Sequence, residues 1–209
     1  MLLVRHAQGS FGGADYDVLS ERGHEQAAAL ADDLEARELN VTRVMAGSLA
    51  RQRDTAAPIA ERFGRDIEVD PRWNEYESQD LIASHASPSE FEGTQREFQA
   101  QLDEALVDWV TREDGSWPGF RDRLHDAFAA LSGSLRSGET AVVSTSGGPI
   151  AAIGVQLLGL PPEGFVALNR VAVNAGVTKV VTGALGATLV SFNEHAYLER
   201  PGHSLLTYR

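Results

Sequence analysis

Short apolar runs alternate along this chain with segments of helical period, and that alternation leaves few folds open. Leu2 to Val4 form an apolar run that stops at Arg5-His6 and gives way to the glycine-rich stretch Gly9-Ser10-Phe11-Gly12-Gly13. This reads as a buried strand opening into a loop. Ser20 then offers an N-cap, and Ala27, Leu30, Ala31 and Leu34 follow at i, i+3, i+4 and i+7, one apolar helical face. Arg43 to Ala46 fit a second strand, residues 50 to 63 a helix broken near Pro58, and Asp66 to Val69 a short strand before Pro71. Phe120, Leu124, Phe128, Leu131 and Leu135 recur near the helical period, and Thr140 to Val143 form a β-rich run ending in Ser144-Thr145-Ser146-Gly147-Gly148. Val177 to Val181 and Thr188 to Phe192 bracket Gly183 and Gly186 as an antiparallel hairpin. The expectation is a three-layer α/β/α sandwich with a mostly parallel central sheet. Residues 1–209 read as one domain, and the less regular stretch 77–118 reads as a helical insertion over the main fold.

Composition narrows the chemistry. A chain of 209 residues can bury roughly 70% of the surface its unfolded form exposes, so a disulfide or structural metal is not needed for folding. The absence of cysteine excludes thiol nucleophiles, Cys-bound zinc and Fe–S clusters. Thirty acidic against 18 basic side chains, a net charge of −12, argue against nucleic-acid or anionic-membrane partners, which require a broad basic face. Lys179 is the one lysine, so no phosphate loop ending Gly-Lys-Ser/Thr can form, and arginine must hold any anion. No run approaches about 18 apolar residues, and no basic segment precedes a long apolar run at the amino end. A cytoplasmic location is expected.

In open α/β sheets ligands bind outside the carboxyl ends of the strands. Two of the expected strand ends carry unusual chemistry. At the first, Arg5-His6 pairs an imidazole able to attack phosphorus with a guanidinium able to hold phosphoryl oxygens. At the later one, Ser146-Gly147-Gly148 exposes backbone N–H groups at a helix start, which suits an anion.

The pair has company in order along the chain. Leu2-Leu3-Val4-Arg5-His6-Ala7-Gln8, Leu19-Ser20-Glu21-Arg22-Gly23 with Gln26-Ala27, Leu49-Ala50-Arg51 with Asp54-Thr55-Ala56, and Trp73-Asn74-Glu75-Tyr76 resemble the histidine phosphatase superfamily, also called phosphoglycerate mutase-like. So do the turn from Val142 to Ile150, Asn174 with Val177-Thr178, and Phe192-Asn193-Glu194. The resemblance implies that His6 is the nucleophile, that Arg5 and Arg51 wall the phosphate pocket with Ser146 and Gly147, and that Glu75 is the acid protonating the leaving oxygen. It also implies a small phosphorylated substrate and neither metal nor cofactor. Where members usually read His-Gly-Gly, this chain reads Ser146-Gly147-Gly148, so a second imidazole is replaced by a neutral hydroxyl and weakened turnover is expected. Ala7, Gly9 and Gly12 also depart from the usual Gly, Thr and Asn. Among the other histidines, His85 in the insertion is the candidate substitute, while His24, His125, His195 and His203 read as surface or packing residues.

Three other functions fit parts of the pattern. A catalytically impaired phospho-ligand-binding protein explains the missing imidazole, and a mutase-type phosphotransferase would share the site. A serine hydrolase using Ser146 would need Glu163 or Glu194 with His195 or His203, because no Asp follows Ser146.

Overall fold

A computed structural model describes residues 1–10, 17–76, 95–112, 115–200 and 203–208. Its main sheet has six strands in the order β3-β2-β4-β1-β5-β6, with β1 Leu2–Arg5, β2 Val41–Ala46, β3 Ile67–Val69, β4 Thr140–Thr145, β5 Val177–Gly183 and β6 Gly186–Glu194. β3, β2, β4 and β1 run parallel, and β5 and β6 close the sheet as an antiparallel hairpin across Ala184-Leu185, with Gly186 at φ 104°. A small pair, β7 Glu199–Arg200 and β8 His203–Ser204, lies apart from it. The helices are α1 Glu21–Ala36, α2 Ala50–Phe63, α3 Gln95–Thr111, α4 Ser116–Ser134, α5 Gly147–Leu158 and α6 Gly164–Val171.

Side-chain alternation along the central strands builds the layers. Leu2, Val4 and Val142 pack with Leu30 and Leu34 of α1 and Ile59 of α2. Leu3, Ala141 and Val143 face the opposite way, onto Leu106 of α3, Leu124 of α4, Ile153 of α5 and Phe165 of α6. With both faces covered, the central strands must be apolar on both sides, which is why they read as short unbroken apolar runs. The three-layer expectation holds. Among the described residues no helix is long and apolar enough to cross a membrane.

Two details differ from the sequence reading. α2 continues unbroken through Pro58, which lacks the N–H that would bond the Asp54 carbonyl. Thr55, Ala56, Ile59 and Ala60 are all buried on its inner face, and packing of that face outweighs one missing hydrogen bond. α6 was not foreseen, because eight residues after Pro161-Pro162 give too short a window for a periodic signal. Of the expected insertion, residues 77–94 lie outside the described residues, and with them His85. Leu102, Leu106, Trp109 and Val110 of α3 are integral to the core shared with α4 and α6.

The first turn of α1 sets the chain leaving β1. Ser20 caps the helix by accepting from Gly23 N at 3.0 Å, and its hydroxyl donates to Gln8 Oε1 at 2.9 Å. A Cβ on Gly23 would stand 2.2 Å from the Gln8 carbonyl oxygen, so glycine is required for the helix to lie against the loop that follows His6. Gly23→Ala should therefore lower unfolding free energy by about 1–3 kcal/mol despite alanine's helical preference of about 1 kcal/mol. A urea-denaturation series would show it, and an unchanged midpoint would refute the close packing.

Candidate active site

Parallel pairing brings the two unusual strand ends together. Arg5 lies opposite Thr145 in the β1–β4 register, and His6 N donates to the Thr145 carbonyl at 2.7 Å. His6 and Ser146 thus stand side by side at the carboxyl edge of the sheet. Arg5, His6 and Ser146 are 5%, 4% and 0% exposed, a buried polar floor.

The His6 ring has its tautomer fixed from both sides. Nδ1 lies 2.8 Å from the Ala7 carbonyl oxygen, which only accepts, so Nδ1 carries the hydrogen. Nε2 lies 3.3 Å from Arg51 Nε, and a guanidinium only donates, so Nε2 carries no hydrogen and its lone pair accepts from Arg51. Ala175 N and Asn174 Nδ2 both donate to the His6 carbonyl at 3.3 Å, and Ala7 N donates to Thr55 Oγ1 at 2.9 Å. A chain of amides extends this support. Asn174 Oδ1 accepts from Thr207, whose Oγ1 accepts from Gln26 Nε2, and Gln26 Oε1 accepts from Gln8 N.

Arg51 stands at the start of α2, where Asp17 does two things. Its carboxylate accepts from Ala50 N at 2.7 Å and Arg51 N at 3.4 Å, supplying the helix cap that Leu49 cannot, and it pairs with Arg51 Nη1 at 2.8 Å. Arg53, two positions on, is exposed. Arg5 Nη1 donates to the Ala172 carbonyl, and a Cβ on Gly147 would lie 3.8 Å from Arg5 Nε, so the guanidinium runs beside the start of α5.

Glu75 closes the opposite side. Its Oε2 accepts from Gly148 N at 3.2 Å, which puts the carboxylate at the positive end of α5. Trp73, wholly buried, anchors the turn before it, and Asp70 caps that turn by accepting from Arg72 N at 3.0 Å. Hydrogen bonds from the Arg72 guanidinium hold the Asp70 carboxyl below the ordinary aspartate range. The cap is therefore in force above about pH 4 and is lost as the pH falls through the depressed value. From α4, Arg123 donates to the carbonyls of Pro71 (3.2 Å), Asn74 (2.8 Å) and Glu75 (3.4 Å), while Asn74 exchanges two hydrogen bonds with Ser48. Tyr76, packed 5.2 Å from Trp109 and bonded to Asn169, fixes the far end.

All six residues picked out in the sequence, Arg5, His6, Arg51, Glu75, Ser146 and Gly147, thus belong to one strand-end cluster. His24 is exposed on α1, and His195 turns to the Asn193 carbonyl and the Glu199 carboxylate. Sequence reasoning passed over Asp17, Arg123 and Gln52. Gln52 left one signal: with Thr55, Ala56 and Ile59 it forms an i, i+3, i+4, i+7 stripe, where a lone amide among small and apolar residues is out of place. Among the described residues no group of three His, Asp or Glu side chains is placed to hold a metal ion.

The cluster combines an uncharged imidazole nitrogen, two guanidinium groups and a carboxylate around a helix start. It can bind a tetrahedral oxyanion and attack its central atom. Arg51→Ala should weaken inorganic phosphate binding by at least about tenfold in calorimetry, with Arg53→Ala unchanged. Equal losses in the two variants would disprove the assignment of Arg51 to the anion.

Comparison with known proteins identifies the family. The family model for the histidine phosphatase superfamily (branch 1) matches residues 1–195. The glucosyl-3-phosphoglycerate phosphatase of Mycolicibacterium vanbaalenii is 28% identical over 190 residues, 81% of this chain and 78% of that protein. A probable phosphoglycerate mutase of Escherichia fergusonii is 27% identical over 165 residues, 76% of this chain and 74% of its own. Among solved structures, a mycobacterial glucosyl-3-phosphoglycerate phosphatase in complex with inorganic phosphate superposes with a TM-score of 0.69 at 25% identity, covering 95% of this chain and 99% of that one. The Entamoeba histolytica phosphoserine phosphatase bound to 3-phosphoglyceric acid shares the fold, with a TM-score of 0.69 at 19% identity over 94% of this chain and 98% of that one. The chain belongs to the histidine phosphatase superfamily.

Proposed function

We propose that the protein is a phosphomonoester hydrolase that works through a phosphohistidine at His6, without a metal, on a small phosphorylated substrate. The observation that carries this reading is the doubly fixed tautomer. A carbonyl at Nδ1 and a guanidinium at Nε2 leave the imidazole with its lone pair aimed at the edge of the sheet where Arg51 stands.

In the first step His6 Nε2 bonds to phosphorus, the bond from phosphorus to the ester oxygen breaks, and Glu75 gives that oxygen its proton. Arg5 and Arg51 balance the charge on the phosphoryl oxygens. In the second step water attacks phosphorus, Glu75 takes its proton, and the P–N bond breaks to return His6. A negatively charged phosphoryl group beside Glu75 raises the carboxylate's proton affinity, which suits it to gain and lose a proton in turn.

The names of the relatives support a phosphorylated three-carbon acid, free or glycosylated, as the class of substrate. The serine-hydrolase reading has less support, since Glu194 is engaged by Arg37 and Ser191 and His195 by Glu199. A mutase would return the phosphoryl group to a second hydroxyl of its substrate, and product analysis with 3-phosphoglycerate tells the two apart.

The test is hydrolysis of aryl phosphate and phosphoglycerates in chelator, with rapid quench. Wild type should give an acid-labile, base-stable adduct, and His6→Ala should lose more than about a thousandfold in turnover. Wild-type rates in His6→Ala would refute the mechanism. Gly148→Ala tests the proton donor from a second direction: the new Cβ would lie 2.2 Å from Glu75 Oε1, while Tyr76, 2.7 Å away, is held by the aromatic core. The carboxylate must turn away and the Tyr76 ring must give as well, so a lower melting temperature accompanies the change. Gly148→Ala should therefore lower kcat as Glu75→Gln does, by about a hundredfold or more, with a far smaller loss on an activated aryl ester whose leaving group needs no proton.

A further inference from the structure

Ser146 is a favourable N-cap residue that does not cap. It occupies the N-cap of α5 at φ −125°, ψ 175°, yet its side chain makes no bond to the first turn. The reason lies in the groups it faces. Gly148 N is taken by Glu75, and the next residue, Pro149, has no N–H. The hydroxyl is released from the role its position would ordinarily give it.

Among the described residues its side-chain partner is Gln52, and the polarity of that bond is set by the backbone. Gln52 is wholly buried. Its Nε2 donates to the Trp73 carbonyl at 3.3 Å, and its Oε1 accepts from Leu49 N at 3.4 Å. A carbonyl cannot donate and an N–H cannot accept, so the amide cannot be flipped without facing like against like on both sides. The remaining Nε2 hydrogen therefore points at Ser146 Oγ, 2.9 Å away, and the serine oxygen must accept. Gly47 leaves the room: a Cβ there would stand 2.0 Å from Gln52 Oε1.

Consequently the Ser146 O–H is left to donate, and among the described residues it has no acceptor. Ser146 is wholly buried, so a phosphoryl oxygen reaches that hydrogen only when the side chains above it move aside to admit the substrate. Ser146 adjoins His6 across the β1–β4 register, where a phosphoryl group on Nε2 brings oxygens with spare lone pairs. We infer that Gln52 is a positioning residue which, by donating to Ser146 Oγ, fixes the serine hydroxyl as a donor to the transferring phosphoryl group. Together Gln52 and Ser146 supply an uncharged, preorganised donor. Because it carries no titrating group, it holds its polarity across the whole working pH range.

The inference rests on the proposed phosphohistidine chemistry, and a double-mutant cycle separates the two. Steady-state hydrolysis is measured for wild type, Ser146→Ala, Gln52→Met and the double variant, with His6→Ala as reference and melting temperature as the check on folding. Methionine matches the length of glutamine and fills the same buried space. Ser146→Ala should lower kcat by about ten- to a hundredfold with little change in KM. Gln52→Met should fall comparably, and the double variant should lose no more than about twofold beyond the worse single variant. Asparagine at 52, too short to span the same three partners, should not rescue, while Ser146→Thr, which keeps the hydroxyl, should retain most activity. Full activity in Ser146→Ala, or losses that multiply in the double variant, overturns the inference while the phosphatase stands. Absence of any His6-dependent hydrolysis in wild type overturns both. Should Gln52→Met prove unstable, isotope-edited infrared spectra of bound vanadate in wild type and Ser146→Ala decide: identical spectra overturn the inference.

Discussion

One backbone hydrogen bond, from His6 N to the Thr145 carbonyl, holds the strand-end cluster in register. It continues the parallel β1–β4 ladder just past the point where both strands leave the sheet, and a slip of one residue would turn His6 toward the wrong layer. Everything at the site is measured from that line. α5 starts directly beyond it, α2 delivers Arg51 and Gln52 across it, and the turn after β3 reaches over it with Glu75. The apolar residues on both faces of β1 and β4 secure the register, so the precision of the polar groups rests on Leu2, Leu3, Val142 and Val143.

How much of this could be read in advance depends on whether a residue's role follows from its own neighbours in sequence. His6 and Ser146 were legible because each breaks an apolar run at a strand end, and α1 because Ser20 and a four-residue apolar stripe agree. Arg51 was legible only through its motif. Asp17, Arg123 and Gln52 owe their positions to contacts 34, 48 and 94 residues away, and nothing in the local sequence points across such distances. The helix through Pro58 shows the same limit from the other side. A local breaker was overruled by burial of Ala56 and Ile59, a tertiary effect.

Charge at the site is arranged in opposed pairs. Arg51 already has Asp17, and Glu75 already has the N–H of Gly148, so neither approaches a ligand as an isolated ion. Such pairing limits the desolvation cost of keeping charges partly buried and holds their geometry before substrate arrives. It also localises the cationic field within an acidic protein of net charge −12, where long-range attraction for a phosphate ester is weak. Any anion held at the site must then be held by short, directed contacts.

The amide chain behind His6 has a temporal consequence. Gln26, Asn174 and Thr207 are joined in one run of hydrogen bonds, so the carbonyl of His6 is braced through Asn174 by a residue about two hundred positions after it. Strand β1 precedes its partner β4 and the brace at Thr207 by most of the intervening fold. Until β4 and Thr207 have been made, His6 lacks both its neighbour strand and the brace behind its carbonyl. The arrangement around His6 is thus assembled only when segments far apart in the sequence have met, and no short stretch of chain can form it alone.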